Sequence, residues 1–205
     1  MNENIDSVNM GTDTGASNAP VAPKKRSGFF EFARFIITVV VIVVVVRVFI
    51  AQPFIVSGSS MVPTFKNADY LIVDELSYRF KEPERGDVLI FHPPIDKGVF
   101  FIKRIIGVPG DTVLINNGVI TITNKEHPNG IVLTEPYISK DTTTAHYNVT
   151  VTEGNYFVMG DNRPASYDSR GWGLLPKENI TGRAFLRLFP LSEIGIFPGE
   201  HESPF

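Results

Sequence analysis

The sequence predicts a mostly β fold, in which a β core carries a small β insert and follows one N-terminal transmembrane helix. From Asp69 onward, short runs of β-branched and aromatic residues alternate with turn-forming residues. That part of the chain shows no convincing amphipathic helical pattern. Before it lies one long Val-rich stretch. With 205 residues, 43% of them hydrophobic, the chain is long enough for one folded domain with appendages.

Residues 1–28 are expected to form a disordered cytoplasmic tail. The segment is rich in Asn, Ser, Thr, Gly and Asp and has little to bury. It ends in the basic cluster Lys24-Lys25-Arg26. Because basic residues favour the cytoplasmic side of a membrane, this cluster predicts a cytoplasmic N-terminus and an extracytoplasmic chain beyond Phe54.

Residues 29–51 are expected to form a membrane anchor. The charge-free run 35–46 has a helical length of only about 18 Å, against a hydrocarbon core of roughly 30 Å. Extending the segment over 29–54 closes this gap, and its long charged side chains near the ends can reach the membrane surface. These side chains are Glu31, Arg34 and Arg47.

Two other readings of the apolar segment remain open. A cleaved signal peptide would show small residues at a cleavage site, whereas residues 47–50 read Arg-Val-Phe-Ile. A buried strand is the other alternative, although the Val-rich stretch is longer than most strands.

Strand-like runs define the rest of the chain. They lie at 70–73, 87–91, 99–108, 112–115, 118–123 and 156–159. Asn117-Gly118 predicts a two-residue hairpin turn. We therefore expect a core over 52–115 and 153–190, a polar β insert over 116–152, and a C-terminal tail over 191–205. Within that tail, residues 196–198 are expected to close the domain before a short loose end.

Composition excludes several classes of function. A net charge of −3 argues against a nucleic-acid-binding protein, because no basic surplus is available to neutralise phosphates. The absence of cysteine excludes thiol nucleophiles, disulfides and thiolate metal sites. The four histidines lie far apart and lack metal-ligand spacing. We expect neither a metal nor another cofactor.

The stretch 57–64, SGSSMVPT, is a candidate nucleophile turn. Its small residues leave backbone N–H groups open to a ligand, and Pro63 restricts the turn. Such serine clusters are also ordinary loop composition. A serine hydroxyl becomes a good nucleophile only when a neighbouring base takes its proton.

Lys103 is the candidate base. In a strand through 101–106, side chains alternate, so Lys103 shares a face with Phe101 and Ile105. Apolar surroundings lower the pKa of a lysine, and a neutral amine could accept the serine proton. Alternatively, Lys103 and Arg104 are both exposed charges on an edge strand. We expect Arg104→Lys to be tolerated.

The polar stretch 160–173 is the candidate support of the site. Its four charged residues could form two carboxylate–guanidinium pairs that hold the loop rigid: Asp161, Arg163, Asp168 and Arg170. Ser166 is a candidate hydrogen-bond partner of Lys103. The alternative is a solvated turn with weak surface ion pairs.

Four motifs in this order resemble the bacterial type I, or leader, signal peptidases, a serine–lysine peptidase family. They are GSSMVPT at 58–64, RGDV at 85–88, FIKRIIGVPGD at 101–111, and GDNR at 160–163 with the residues up to Arg170. The resemblance implies Ser60 as nucleophile and Lys103 as general base. It implies that Ser166 hydrogen-bonds the lysine and that Asp161, Arg163, Asp168 and Arg170 brace the site.

The resemblance also implies a substrate. A membrane-bound enzyme of this family removes signal peptides from exported preproteins, with small residues before the cleaved bond. The family-matched candidates for the substrate pockets are Phe54, Val56, Met61 and Ile102. Gly58 stands where some members have a serine, so the oxyanion hole is expected to use backbone N–H groups, chiefly that of Ser60. Pro164-Ala165 also departs from the polar residues common in the family's loop.

Two competing functions are a repressor-type Ser-Lys autopeptidase and a catalytically inactive, membrane-tethered binding domain. The apolar N-terminal segment and the lack of an N-terminal DNA-binding module oppose the first. The joint presence of Ser60, Lys103 and Ser166 opposes the second.

Overall fold

The structure is a computed structural model that describes residues 28–49, 51–138 and 146–200. The predicted tail therefore lies, apart from Gly28, outside the described residues, and so do residues 201–205.

Twelve strands and two helices make up the described part of the chain. The helices are α1 (Gly28–Phe49) and the single-turn α2 (Ser169–Trp172). The strands are β1 (Ala51–Ile55), β2 (Tyr70–Asp74), β3 (Val88–Phe91), β4 (Phe101–Gly107), β5 (Thr112–Asn116), β6 (Val119–Thr123), β7 (Ile131–Val132), β8 (Tyr147–Thr150), β9 (Asn155–Met159), β10 (Leu175–Pro176), β11 (Ile180–Phe189) and β12 (Gly195–Ile196). The prediction of a mostly β fold is confirmed.

The helix α1 carries exposed apolar side chains from Phe29 to Val44. Among the residues that the structure describes, no helix is both long and apolar enough to cross a membrane. The predicted transmembrane helix over 29–51 is therefore not supported. The extra length that the prediction drew from residues up to Phe54 belongs instead to β1, because residues 51–55 pair with β2.

The larger sheet supplies the core on which the site is built. Its antiparallel strands follow the order β1-β2-β11-β3-β4-β9-β10, with β12 paired to β11. On β4, Lys103 lies opposite Leu89 of β3, and Arg104 lies opposite Val88. Alternation along β4 therefore directs two neighbouring cations to opposite sides of one central strand.

The smaller sheet has the order β7-β6-β5-β8. Its buried side chains, such as Val113 and Ile122, join one apolar cluster with Ile106, Phe157 and Met159 of the larger sheet. Since β5 pairs with β6 and β8, the second sheet begins at Thr112, slightly before the predicted insert boundary at residue 116.

The described part of the segment after β11 contains a further strand, β12. Gly195–Ile196 forms a strand against Leu186 and Arg187. Backbone pairing therefore holds this part of the predicted C-terminal tail over 191–205 on the larger sheet.

Candidate active site

The nucleophile turn connects β1 to β2. Gly58 has φ +96°, a conformation in which a side chain would be strained, and its N–H donates to Asn67 Oδ1 at 3.1 Å. Beyond it, Phe65 N–H donates to the carbonyl of Met61 at 2.9 Å. Both Met61 and Phe65 are buried. The turn is thereby anchored in the core, while Ser60 is only half-buried.

Asn162 holds the same turn from the opposite side. Its backbone N–H donates to the Ser60 carbonyl at 2.9 Å, and its Nδ2 donates to the Ser59 carbonyl at 3.0 Å. Asn162 lies within the GDNR motif, but no role is predicted for it from the sequence. An asparagine has one backbone and two side-chain N–H donors, so it can bind two neighbouring carbonyls at once.

Lys103 reaches the nucleophile directly. Its Nζ lies 2.8 Å from Ser60 Oγ and donates to the Ile102 carbonyl at 2.9 Å. The Lys103 residue is only 4% exposed, and its Nζ lies 5.1 Å from the centre of the Phe101 ring. The structure thus brings together the two residues that the sequence predicts as nucleophile and base.

Burial lowers the pKa of Lys103 to about 8, because an ammonium group loses hydration in apolar surroundings. The negative charges of Asp168 and Asp161 act in the opposite direction and raise this pKa in part. Neither carboxylate is among the hydrogen-bond partners that the structure gives for Lys103 Nζ, which are Ser60 and Ile102. The amine can therefore lose its proton near neutral pH.

Ser166 does not make the predicted hydrogen bond to Lys103. Its Oγ is buried and has no hydrogen-bond partner in the part of the chain that the structure describes. Ser166 Oγ packs instead against Gly160, where an added Cβ would lie 2.3 Å from this oxygen and 2.4 Å from the Ser60 carbonyl oxygen. Because Gly160 has no side chain, Ser166 Oγ and the Ser60 carbonyl can lie close to its backbone.

The predicted partners of Asp161 are also corrected. Asp161 forms a two-point ion pair with Arg104, with Nε at 2.9 Å and Nη2 at 2.7 Å, and it accepts a 2.5 Å hydrogen bond from Thr64 Oγ1. Arg104 also donates to the carbonyls of Gly86 and Gly199. Since the Arg104 residue is fully buried and binds Asp161 at two points, we expect replacement by lysine to weaken this ion pair.

The other three predicted braces occupy two different pairs. Asp168 pairs with Arg170, with Oδ1 at 2.8 Å from Nε, and it accepts a hydrogen bond from Gly160 N–H at 3.1 Å. Arg163 instead pairs with Glu135, a residue of the insert, while its Nε donates to the Gly160 carbonyl at 3.0 Å. The loop is therefore held by buried ion pairs rather than by surface ones.

An apolar groove of about 540 Å³ opens beside Ser60 and Lys103. Three of the four predicted pocket residues line it, namely Phe54, Val56 and Ile102. Met61, the fourth, does not line this groove, because its side chain is 1% exposed and packs in the core with Phe65 and Leu71. Sequence reasoning missed other lining residues, including Val99, Phe100, Ala165 and Tyr167.

Comparison with known proteins identifies the family of this chain. The family described as "Signal peptidase, peptidase S26" matches residues 29–189. The "Probable signal peptidase I-1" of Synechocystis sp. is 39% identical, over 87% of this chain and 91% of its own length. "Signal peptidase I" of Leptolyngbya laminosa is 37% identical, over 88% of this chain and 89% of its own.

A solved structure of a signal peptidase I from Enterococcus faecalis is 33% identical and has a TM-score of 0.43, over 50% of this chain and 97% of that one. Since the family match extends over most of the chain and the curated relatives align over most of their own lengths, the chain belongs to the signal peptidase family of serine peptidases.

Proposed function

We propose that the protein is a membrane-bound endopeptidase that removes signal peptides from exported preproteins, with Ser60 as nucleophile and Lys103 as general base. The observation that carries this proposal is the 2.8 Å distance between Lys103 Nζ and Ser60 Oγ beside an apolar groove. This distance lies within the reach required of a nucleophile and its base.

In the first half of the reaction, the neutral Lys103 amine accepts the Ser60 proton while Oγ attacks the carbonyl carbon of the scissile bond. The tetrahedral intermediate carries a negative oxygen, for which backbone N–H donors of the turn, chiefly that of Ser60, are the proposed stabilising groups. The Lys103 ammonium then gives its proton to the leaving amine. The mature protein departs with a free N-terminus.

In the second half, the signal peptide is an ester of Ser60 Oγ. Lys103, neutral again, takes a proton from a water molecule that attacks the ester carbonyl. When the C–O bond to Ser60 breaks, the proton returns to Oγ. The signal peptide leaves with a new carboxylate, and both catalytic groups return to their starting states.

The groove supports a substrate with small apolar side chains before the cleaved bond. Its walls include the side chains of Phe54, Val56 and Ile102, and Ser60 lines the same groove. A pocket with such walls admits alanine more readily than a bulky residue, because the latter would require displacement of packed side chains.

The proposed place of action is a membrane surface. Apolar side chains from Phe29 to Val44 are exposed on α1, and the basic cluster Lys24-Lys25-Arg26 precedes them in sequence. Contact with a lipid bilayer would remove this apolar surface from water, which is energetically favourable. Flotation of the full chain with liposomes tests this part, and a protein that stays at the bottom of the gradient would refute it. The orientation stays a prediction, tested with protease added outside intact cells.

The activity is tested with detergent-solubilised full-length protein and a preprotein whose signal sequence ends in Ala-X-Ala. We expect one cut directly after that segment, identified from the fragment masses. Ser60→Ala should produce no cut, whereas the exposed Ser192→Ala should cut at the wild-type rate. Cleavage by Ser60→Ala, or an inactive wild type with a native melting transition, would contradict the proposal.

A further inference from the structure

We infer that the insert completes the active site, with Glu135 and Tyr137 acting as positioning residues for Ser60 and Lys103. The inference rests on the proposed function, and it assigns a role in that reaction to the segment 135–137. Sequence reasoning treated this segment as part of a polar appendage.

Glu135 is the first contact between the insert and the catalytic loop. Its carboxylate binds Arg163 through both terminal nitrogens of the guanidinium, with Nη1 at 2.9 Å from Oε2. The side chains of Arg163 and Glu135 are 0% and 5% exposed. A guanidinium buried so completely needs a nearby carboxylate, and the insert provides one.

Tyr137 is the second contact. Its ring lies against the guanidinium of Arg104, whose central carbon is 3.9 Å from the ring centre, and its hydroxyl donates to Glu135 Oε1 at 2.8 Å. An arginine stacked on an aromatic face is held in orientation as well as in position. One segment of the insert therefore contacts both buried arginines that brace the site.

These two arginines control the groups that react. Arg163 Nε binds the carbonyl of Gly160, the residue against which the Ser60 backbone packs. Arg104 binds Asp161, which in turn holds Thr64 of the nucleophile turn. Lys103 is the neighbour of Arg104 on β4. Displacement of either guanidinium would therefore alter the distance between Ser60 Oγ and Lys103 Nζ.

None of these insert residues lines the groove. A positioning role consequently predicts a lower kcat with an unchanged KM, because substrate contacts are preserved while the reacting atoms are misaligned. Misplacement of reacting groups by about 1 Å can cost on the order of a hundredfold in rate. A residue that contacts the substrate would change KM instead.

The experiment compares Glu135→Gln with Glu126→Gln, the same substitution at an exposed position of the same insert. Initial rates of preprotein cleavage are measured with full-length protein in detergent. We expect Glu135→Gln to lower kcat about tenfold or more with KM within twofold of wild type. Glu126→Gln should retain wild-type values of both constants.

A double-mutant cycle then tests the proposed route through Arg163. If Glu135 acts by holding Arg163, the variant Glu135→Gln/Arg163→Gln should have nearly the same kcat as Arg163→Gln alone. Tyr137→Phe, which removes one hydroxyl and keeps the ring on Arg104, should lower kcat less than Glu135→Gln does. Additive losses in the cycle would overturn the assigned route.

Thermal melts accompany every kinetic measurement. If Glu135→Gln does not fold, Glu135→Asp and Tyr137→Phe decide, and wild-type kcat in both of these variants would overturn the inference. A Glu135→Gln enzyme with wild-type kcat, or with raised KM and normal kcat, would also overturn it while leaving the proposed function intact. An inactive wild type would overturn both.

Discussion

The two sides of β4 provide two neighbouring cations with different surroundings. On one side, Lys103 has a hydroxyl and a backbone carbonyl as hydrogen-bond partners and lies near the ring of Phe101. On the other side, Arg104 has a two-point ion pair with Asp161 and donates to backbone carbonyls. Both residues are buried.

The difference shows how a protein can keep one buried cation charged and allow its neighbour to become neutral. A carboxylate in direct contact stabilises the charged form, whereas burial beside uncharged groups destabilises it. Arginine suits the first environment because it does not lose its proton, and lysine suits the second because it can. Proton transfer is therefore expected on the Lys103 side of the strand, where burial lowers the pKa of a cation that can become neutral.

The largest expected effect on activity comes from a permanent charge at position 103. We expect Lys103→Arg to lower kcat by a factor on the order of 10³ or more, because arginine cannot accept the Ser60 proton. Preprotein cleavage assays with matched protein concentrations measure this loss.

The exposed Lys125→Arg serves as the matched control and should keep wild-type activity. An active Lys103→Arg enzyme would disprove the serine–lysine mechanism.

Breaking the ion pair on the other side should act first on stability. Asp161→Asn leaves the fully buried Arg104 without its carboxylate, and removing one partner of a buried pair typically costs about 3–5 kcal/mol. Denaturant unfolding measures the change in the free energy of unfolding. Arg104→Lys, which cannot bind Asp161 at two points, should also lower the free energy of unfolding, but by less than Asp161→Asn does.

An unchanged unfolding midpoint in Asp161→Asn would show that this pair does not hold the site together. The exposed Asp96→Asn is the matched control and should melt like the wild type.

The pH dependence sharpens the contrast further. Since only neutral Lys103 can act as base and burial lowers its pKa to about 8, kcat/KM should rise with pH and level off above that value. The charge of Asp168 raises this pKa, so Asp168→Asn should move the rising limb to lower pH. A limb that moves to higher pH, or that is absent, would contradict the assignment of Lys103.

The smallest expected effect concerns the groove. Ile102→Ala and Val56→Ala should enlarge it and permit cleavage at additional sites, with discrimination between side chains reduced by about 1–3 kcal/mol. Mass spectrometry of the fragments detects the extra sites. Cleavage at a single position in both variants would show that these walls do not select the substrate.

Met61→Ala provides the contrast within the same region. Because Met61 is buried in the core, this substitution should lower the free energy of unfolding by about 2–5 kcal/mol and leave the cleavage position unchanged.

The sequence predicts the parts of the site that depend on local pattern. Strand alternation puts Lys103 beside Phe101, and the motif resemblance selects Ser60 from three nearby serines; the structure brings these residues together. The strand-like runs at 70–73 and 112–115 also correspond closely to β2 and β5.

Pairing between distant residues could not be predicted in this way. Asp161 and Arg163 are close in sequence, yet they pair with Arg104 of β4 and with Glu135 of the loop after β7. Met61 was expected at the substrate pocket, but the folding of its turn buries it. Each of these outcomes depends on which elements meet in space, and neither residue spacing nor composition contains that information.

The carbonyl of Gly199 gives the C-terminal segment a practical importance. This oxygen accepts a hydrogen bond from Arg104. A cut before residue 199, although far from Ser60 in sequence, would therefore remove a hydrogen-bond acceptor of the buried guanidinium. Truncation or proteolytic trimming there is expected to weaken the enzyme while every catalytic residue remains present.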